Sequence, residues 1–153
     1  VLEVNVRGAM LCSRAVLPGM VERKRGRIIN MGSNAGIQPF PGVSAYCVSK
    51  AALLRMTDVV SAEVREDGVA IFAVSPGLVL TDMTDDLEKK NLFPASDWTP
   101  IERIAELSVY LASGKGDELS GRYIHASGDD VEKLVRHADT ILKEDTHVLR
   151  LRT

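Results

Sequence analysis

The sequence predicts an α/β protein: a parallel sheet with flanking helices, present as a partial fold of about three strands. Three observations predict it. Residues 69–74 form a nearly continuous apolar run bounded by Gly68 and Ser75-Pro76-Gly77, the pattern of a parallel strand buried on both faces. Helical periodicity alternates along the chain with two further short strand-like segments, which implies crossover connections onto one sheet. Three strands alone would leave a doubly wound sheet with a bare edge, so the architecture reads as half of a larger one.

Taken in order, residues 1–24 carry a helical pattern with Val4, Met10, Leu11, Val16 and Leu17 on an apolar stripe, and Pro18 is expected to bend or break it near its end. Val1-Leu2-Glu3-Val4 has no cap in front of it, so the chain is expected to begin inside this helix. Residues 27–31 are short and β-rich, and 32–42 read as a loop with Pro39 and Pro41. A long helix is expected from about residue 44 to 65, closed by Gly68. Residues 81–98 mix Met83, Leu87, Leu92 and Phe93 with acids and are expected to form a lid. Thr99-Pro100-Ile101-Glu102 matches a capping box with Pro in the first helical position. A last strand is expected over 122–125, and Gly128-Asp129-Asp130 then caps one helix carrying Val131, Leu134, Val135, Ala138 and Leu142. The tail from His147 is left unassigned.

Composition narrows the function classes. The 153 residues fit one domain, with 45% hydrophobic and 26% charged positions. Nineteen Lys and Arg against twenty-one Asp and Glu show no basic footprint for nucleic acid. Charges interrupt every apolar stretch short of a membrane span, so no membrane partner is expected. Cys12 and Cys47 form no CxxC pair, which fits a reducing, cytoplasmic setting, and no metal site is expected. His125, His137 and His147 share no ligand spacing and are given surface or packing roles.

Tyr46 and Lys50 stand at i and i+4 on the long helix, on one face. A phenol ionises near pH 10, at about the reference value, and a neighbouring cation favours its phenolate, which suits proton transfer at a carbonyl or hydroxyl oxygen. The plain alternative is a surface tyrosine beside a solvated lysine. Ser33 ends the strand before this helix, and Ser75-Pro76-Gly77-Leu78-Val79-Leu80-Thr81 follows the next. Ligands of open parallel sheets bind outside the carboxyl ends of the strands, so these loops would open onto one crevice. Trp98, Phe93 and Met83 either line that crevice or pack an amphipathic segment.

Over residues 1–127 the sequence resembles the short-chain dehydrogenase/reductase family. The matching pieces are Asn5-Val6-Arg7-Gly8, Arg27-Ile28-Ile29-Asn30-Met31-Gly32-Ser33, Tyr46-Cys47-Val48-Ser49-Lys50 and Pro76-Gly77-Leu78-Val79-Leu80-Thr81. The resemblance implies a Rossmann-like domain and a function: hydride transfer between NAD or NADP and a carbonyl or secondary alcohol. It implies Tyr46 as acid or base on the substrate oxygen, with Lys50 supporting the phenolate and binding the nicotinamide ribose. Ser33 would orient the carbonyl, and Asn5 would hold a water in a proton relay from Lys50. Pro76, Gly77, Val79 and Thr81 would border the cofactor. A homo-oligomer, dimer or tetramer, is also implied.

The family's N-terminal glycine-rich βαβ half, TGxxxGxG included, has no counterpart here; Asn34-Ala35-Gly36 follows the wrong strand to replace it. The expected division is therefore a C-terminal half-domain over 1–127, with a helix and tail over 128–153 that pack either beside the active-site opening or at an oligomer contact. Two functions are carried forward: an oxidoreductase of which this is the active-site part, or a truncated, inactive chain that serves as an assembly module. On its own the chain is expected to be inactive, for want of a phosphate cradle.

Overall fold

The computed structural model describes residues 1–89 and 94–151. Strands β1 (Gly26–Met31), β2 (Val69–Ser75) and β3 (Tyr123–His125) form one parallel sheet in the order β1-β2-β3. The pairing runs from Gly26 opposite Val69 to Met31 opposite Val74, and from Ala73 opposite Tyr123 to Ser75 opposite His125. All seven residues of β2 are buried, as its unbroken apolar run requires. The helices are α1 (Ala9–Glu22), α2 (Ser44–Val64), α3 (Asp85–Lys89), α4 (Ile101–Ala112), α5 (Val131–Arg136) and α6 (Ala138–Lys143).

Alternation along β2 divides the core between two faces. Val69 and Ile71 pack with Val64 of α2 and with Leu17, Met20 and Val21 of α1. Ala70, Phe72 and Val74 pack on the other face with Leu107 and Leu111 of α4, Ile124 of β3 and Ile141 of α6. Helices therefore cover both faces of the sheet, the partial Rossmann-like arrangement that the sequence predicts.

Several local expectations are corrected. The first helix is not uniform: a π-helical turn, Glu3–Gly8, precedes α1. Pro18 does not break α1, which continues to Glu22. The ring costs only the bond to the Arg14 carbonyl, on an exposed stretch where water can replace it. The apolar stripe is mostly not core, for Val4, Met10, Leu11 and Val16 are exposed while Leu17 packs inward. At α4 Pro100 is the N-cap and no side chain caps the turn; Thr99 is buried against Gly77 instead of serving as cap. The last helix is two, α5 and α6, divided at His137, with Asp130 capping α5 by accepting from the Lys133 amide at 3.0 Å.

The tail has a defined place. Tyr123 N–H donates to the His147 carbonyl at 2.8 Å, and His147 Nδ1 lies 3.0 Å from the Tyr123 carbonyl, so the tail covers the outer edge of β3. Asp145 anchors it, accepting from Arg122 at 2.9 Å and from Arg150 Nε at 2.6 Å. These bonds, that of Arg122 foremost, hold the Asp145 carboxyl below its ordinary 3.8. A lowered acid contributes stability above its unfolded value, and loses it as pH falls through the folded one. Asp145→Asn should therefore speed hydrogen exchange at the Tyr123 amide at pH 7, and the variant and parent should converge once the pH drops well under 3.8. Equal protection at neutral pH would show that Asp145 does not hold the tail.

Candidate active site

Because the strands are parallel and in register, their carboxyl ends meet at one edge of the sheet. Ser33 follows β1, Gly77 follows β2, and Ser127 follows β3. With Tyr46 of α2 they line a cavity of about 650 Å³.

Lys50 is nine-tenths buried beneath that edge, and its Nζ donates to the Met31 carbonyl at 2.7 Å. Burial lowers its pKa from the ordinary 10.5. The same ammonium lies 5.5 Å from the centre of the Tyr46 ring. The plain reading of this pair as surface groups therefore fails. Tyr46 itself is half-buried, faces the cavity, and its hydroxyl bonds to no described residue.

Ser33 is the N-cap of a 3₁₀ turn, Asn34–Gly36, and its Oγ accepts from the Ala35 amide at 3.2 Å. Gly36 lets that turn press against α2: a Cβ there would stand 2.9 Å from the Lys50 backbone carbon and 2.9 Å from Leu54 Cδ1. The contact holds Ser33 and Tyr46 to the same cavity, although they do not bond to each other. Asn5, in the π turn, donates to Ser49 Oγ at 3.0 Å, and Ser49 Oγ donates to the Tyr46 carbonyl at 2.7 Å. Asn5 thus reaches the Tyr46–Lys50 segment through Ser49, with no hydrogen bond to Lys50.

Of the positions expected to border a cofactor, Gly77 lines the cavity; Pro76, Val79 and Thr81 stand outside its lining. Gly77 has φ +82°, and a Cβ there would collide with the Thr99 hydroxyl. Thr84 organises the next turn: its Oγ1 donates to the Val79 carbonyl at 2.6 Å and accepts from the Thr81 amide at 2.9 Å. The Val79 N–H, by contrast, donates to no described residue. This unpaired amide lies one residue past Leu78 of the lining and is a donor from which an acceptor such as a carboxamide could accept.

Sequence reasoning missed part of the lining. Asn34, Asp97, Thr99, His125 and Ser127 all contribute to the cavity. His125 lies opposite Ser75 at the end of β3, so its position on a third parallel strand was the available signal. Asp129, expected to help cap the following helix, accepts from the His125 amide at 2.7 Å and fixes that strand end. Met83 lines the cavity, Trp98 lies in a neighbouring groove with Arg103, and Phe93 falls outside the described residues. A bridge between Leu78 and Trp98, with Thr99 N–H donating to the Leu78 carbonyl at 2.7 Å, clasps the two ends of the segment between them.

The family model for short chain dehydrogenases matches residues 1–92. The chain belongs to that family. A 3-oxoacyl-[acyl-carrier-protein] reductase FabG of Rickettsia felis is 34% identical over 134 residues, covering 84% of this chain and 56% of the relative. An inactive 2-(S)-hydroxypropyl-CoM dehydrogenase 2 of Xanthobacter autotrophicus is 35% identical over 133 residues, covering 79% and 58%. A crystal structure assigned as an NAD(P)-dependent gluconate 5-dehydrogenase from Beutenbergia cavernae, with NADP bound at low occupancy, superposes with a TM-score of 0.77 at 29% identity, covering 82% of this chain and 54% of that one. The chain therefore spans a little over half the length of these relatives, and its partial sheet corresponds to part of their Rossmann-like fold.

In this member of the family the Gly36 contact joins the Ser33 turn closely to the helix of Tyr46. Gly36→Ala should cost about 1–3 kcal/mol, as overpacking against backbone does. Urea unfolding would measure it, and an unchanged midpoint would show that the turn moves aside freely.

Proposed function

We propose that this chain carries the active-site part of an NAD(P)-dependent oxidoreductase acting on a carbonyl or secondary alcohol. The observation that carries the reading is the Tyr46 hydroxyl, unpaired and facing a cavity shared with Ser33, above the buried Lys50 ammonium. In the reductive direction Ser33 Oγ donates to the substrate carbonyl and aligns it, while Tyr46 Oη delivers the proton to the same oxygen. The Lys50 charge stabilises the phenolate left behind, and the low-dielectric surroundings strengthen that attraction. In the oxidative direction the phenolate removes the proton from the alcohol. The nicotinamide, when bound, supplies or accepts the hydride.

Residue by residue, Lys50 also binds the nicotinamide ribose, and the Val79 N–H meets the carboxamide. Pro76, Gly77 and Thr81 border the cofactor, and Tyr46 touches both partners. Asn5, through Ser49, steadies the helix turn that holds Tyr46 and Lys50 and takes part in the path that re-protonates them. The proposal includes a homo-oligomer, dimer or tetramer, which the exposed Val4, Met10, Leu11 and Val16 and, on α2, Val48 and Val59 support. It also includes a cytoplasmic setting, supported by the free thiols of Cys12 and Cys47. Among the described residues no helix is long and apolar enough to cross a membrane.

The second reading is a truncated, inactive chain that serves as an assembly module, and its lack of turnover has a precedent in the name of the Xanthobacter relative. Two measurements separate them. Fluorescence titration of the complete protein with NADH and NADPH should show saturable binding of at least one. Tyr46→Phe should then abolish turnover while leaving that binding within about twofold, because one phenolic oxygen contributes little to cofactor affinity. Normal turnover by the variant would sink the assignment of Tyr46; absence of turnover by the parent would favour the second reading.

A further inference from the structure

Beyond Tyr46 and Ser33, the cavity has a polar wall with its own hydrogen-bond order. The Gly128 amide donates to His125 Nδ1 at 3.1 Å, and Ser127 Oγ stands 3.1 Å from the same nitrogen. A backbone amide can only donate, so Nδ1 offers its lone pair and the neutral imidazole carries its hydrogen on Nε2. Nε2 lies 3.2 Å from the Asn34 side-chain amide. The Asn34 nitrogen stands at that contact, and its oxygen accepts from the Tyr123 hydroxyl at 2.7 Å; because two donors cannot face each other, the amide is assigned the reverse way round, oxygen to Nε2–H and nitrogen to the Tyr123 oxygen. Asn34 is then fixed at both ends, with one N–H still unspent, on an exposed side chain that lines the cavity.

Phe40, Val43, Leu78 and Met83 supply apolar lining to the same cavity. Among the described lining residues Asp97 is the one acidic side chain, and none is Lys or Arg. A carboxylate in the substrate would find no cation among these described residues and would meet Asp97. A neutral oxygen would find the Asn34 N–H.

We propose that Asn34, held by His125 and Tyr123, recognises a second, uncharged oxygen on the substrate, so that the preferred substrates are neutral compounds bearing an ester, thioester or hydroxyl oxygen near the reacting carbonyl. This rests on reading the cavity around Tyr46 as the substrate site. Asn34 is the contacting residue, and His125 is a positioning residue that acts through it.

The test is equilibrium binding to the complete protein with its nicotinamide cofactor present, followed by protein NMR. The probes are ethyl acetoacetate, 2-pentanone and acetoacetate. The parent should bind the ester more tightly than the ketone or the carboxylate. Asn34→Ala should cut the preference for ester over ketone about three- to tenfold, the value of one hydrogen bond. His125→Ala should cut it similarly, and His125→Gln, which can still donate to the Asn34 oxygen, should restore part of it. Tighter binding of acetoacetate than of the ester, binding of none of the probes, or a preference unaltered in both Ala variants would overturn the proposal. So would an equal loss for ester and ketone, which signals general damage. Turnover is scored separately: ester preference that depends on Asn34, in a protein that reduces none of the probes, would overturn the oxidoreductase reading and leave the recognition element standing.

Discussion

The Lys50 ammonium is buried with one protein hydrogen bond, to the Met31 carbonyl at the end of β1. A buried charge with so few partners is costly, and burial pulls its pKa down. The bond nevertheless ties α2 to the carboxyl end of the sheet at one defined height. Everything one turn earlier on the helix, Tyr46 included, is set by that tie. Gly36 completes it from the other side, by admitting the Ser33 turn to contact with the Lys50 backbone. A structural core without chemistry to perform would gain by replacing Lys50 with an apolar residue, as well-packed apolar groups often match or exceed buried charges in stability. The retained charge, beneath a phenol with no partner, is the physical reason for reading the edge as an active site.

Much of this was legible in the sequence because it follows from local rules. The apolar run of β2 allowed no solvent-facing side, and the i, i+4 spacing of Tyr46 and Lys50 set one helix face. The carboxyl-end rule brought Ser33 and Gly77 to one crevice. What was not legible depended on competition between local and tertiary partners. Thr99 has the right spacing for a helix cap, yet it packs where Gly77 leaves room, so the cap is forgone. Pro18 reads as a breaker, but a single lost bond on a solvated helix surface is affordable when Leu17, Met20 and Val21 pack on either side of it. The apolar pattern of residues 131–142 continues across His137, while the backbone does not. The π turn around Asn5 changes one hydrogen-bond register and leaves the composition unaltered, so nothing in residue type marks it.

The histidines show the same limit from the functional side. Spacing between His125, His137 and His147 excludes a shared ligand and assigns them surface or packing roles. Their separate environments tell them apart. His147 pairs with the edge of β3, and His137 bonds locally to the Lys133 carbonyl at 2.8 Å. His125 alone stands at a strand end that opens on the cavity. A search by spacing finds groups that act together on one ion, whereas a residue at the end of a strand acts with whatever the neighbouring strands present.

That distinction extends to how the fold divides its labour. β1 and β2 are followed by Ser33 and Gly77, which the proposed function assigns to the reacting oxygen and the cofactor. β3 ends in His125, held from behind by Asp129 and from the side by Gly128 and Ser127. Backbone pairing ties β3 to β2 and the tail, and Lys50 ties α2 to β1, while the bonds of Asn34 to His125 and Tyr123 join β3 to the turn of Ser33. In the proposed reading, proton transfer and recognition of the rest of the substrate therefore sit on adjoining strand ends linked through Asn34. A scaffold of this kind carries different functions in different members, and the relatives are named for substrates as unlike as 3-oxoacyl carriers and gluconate.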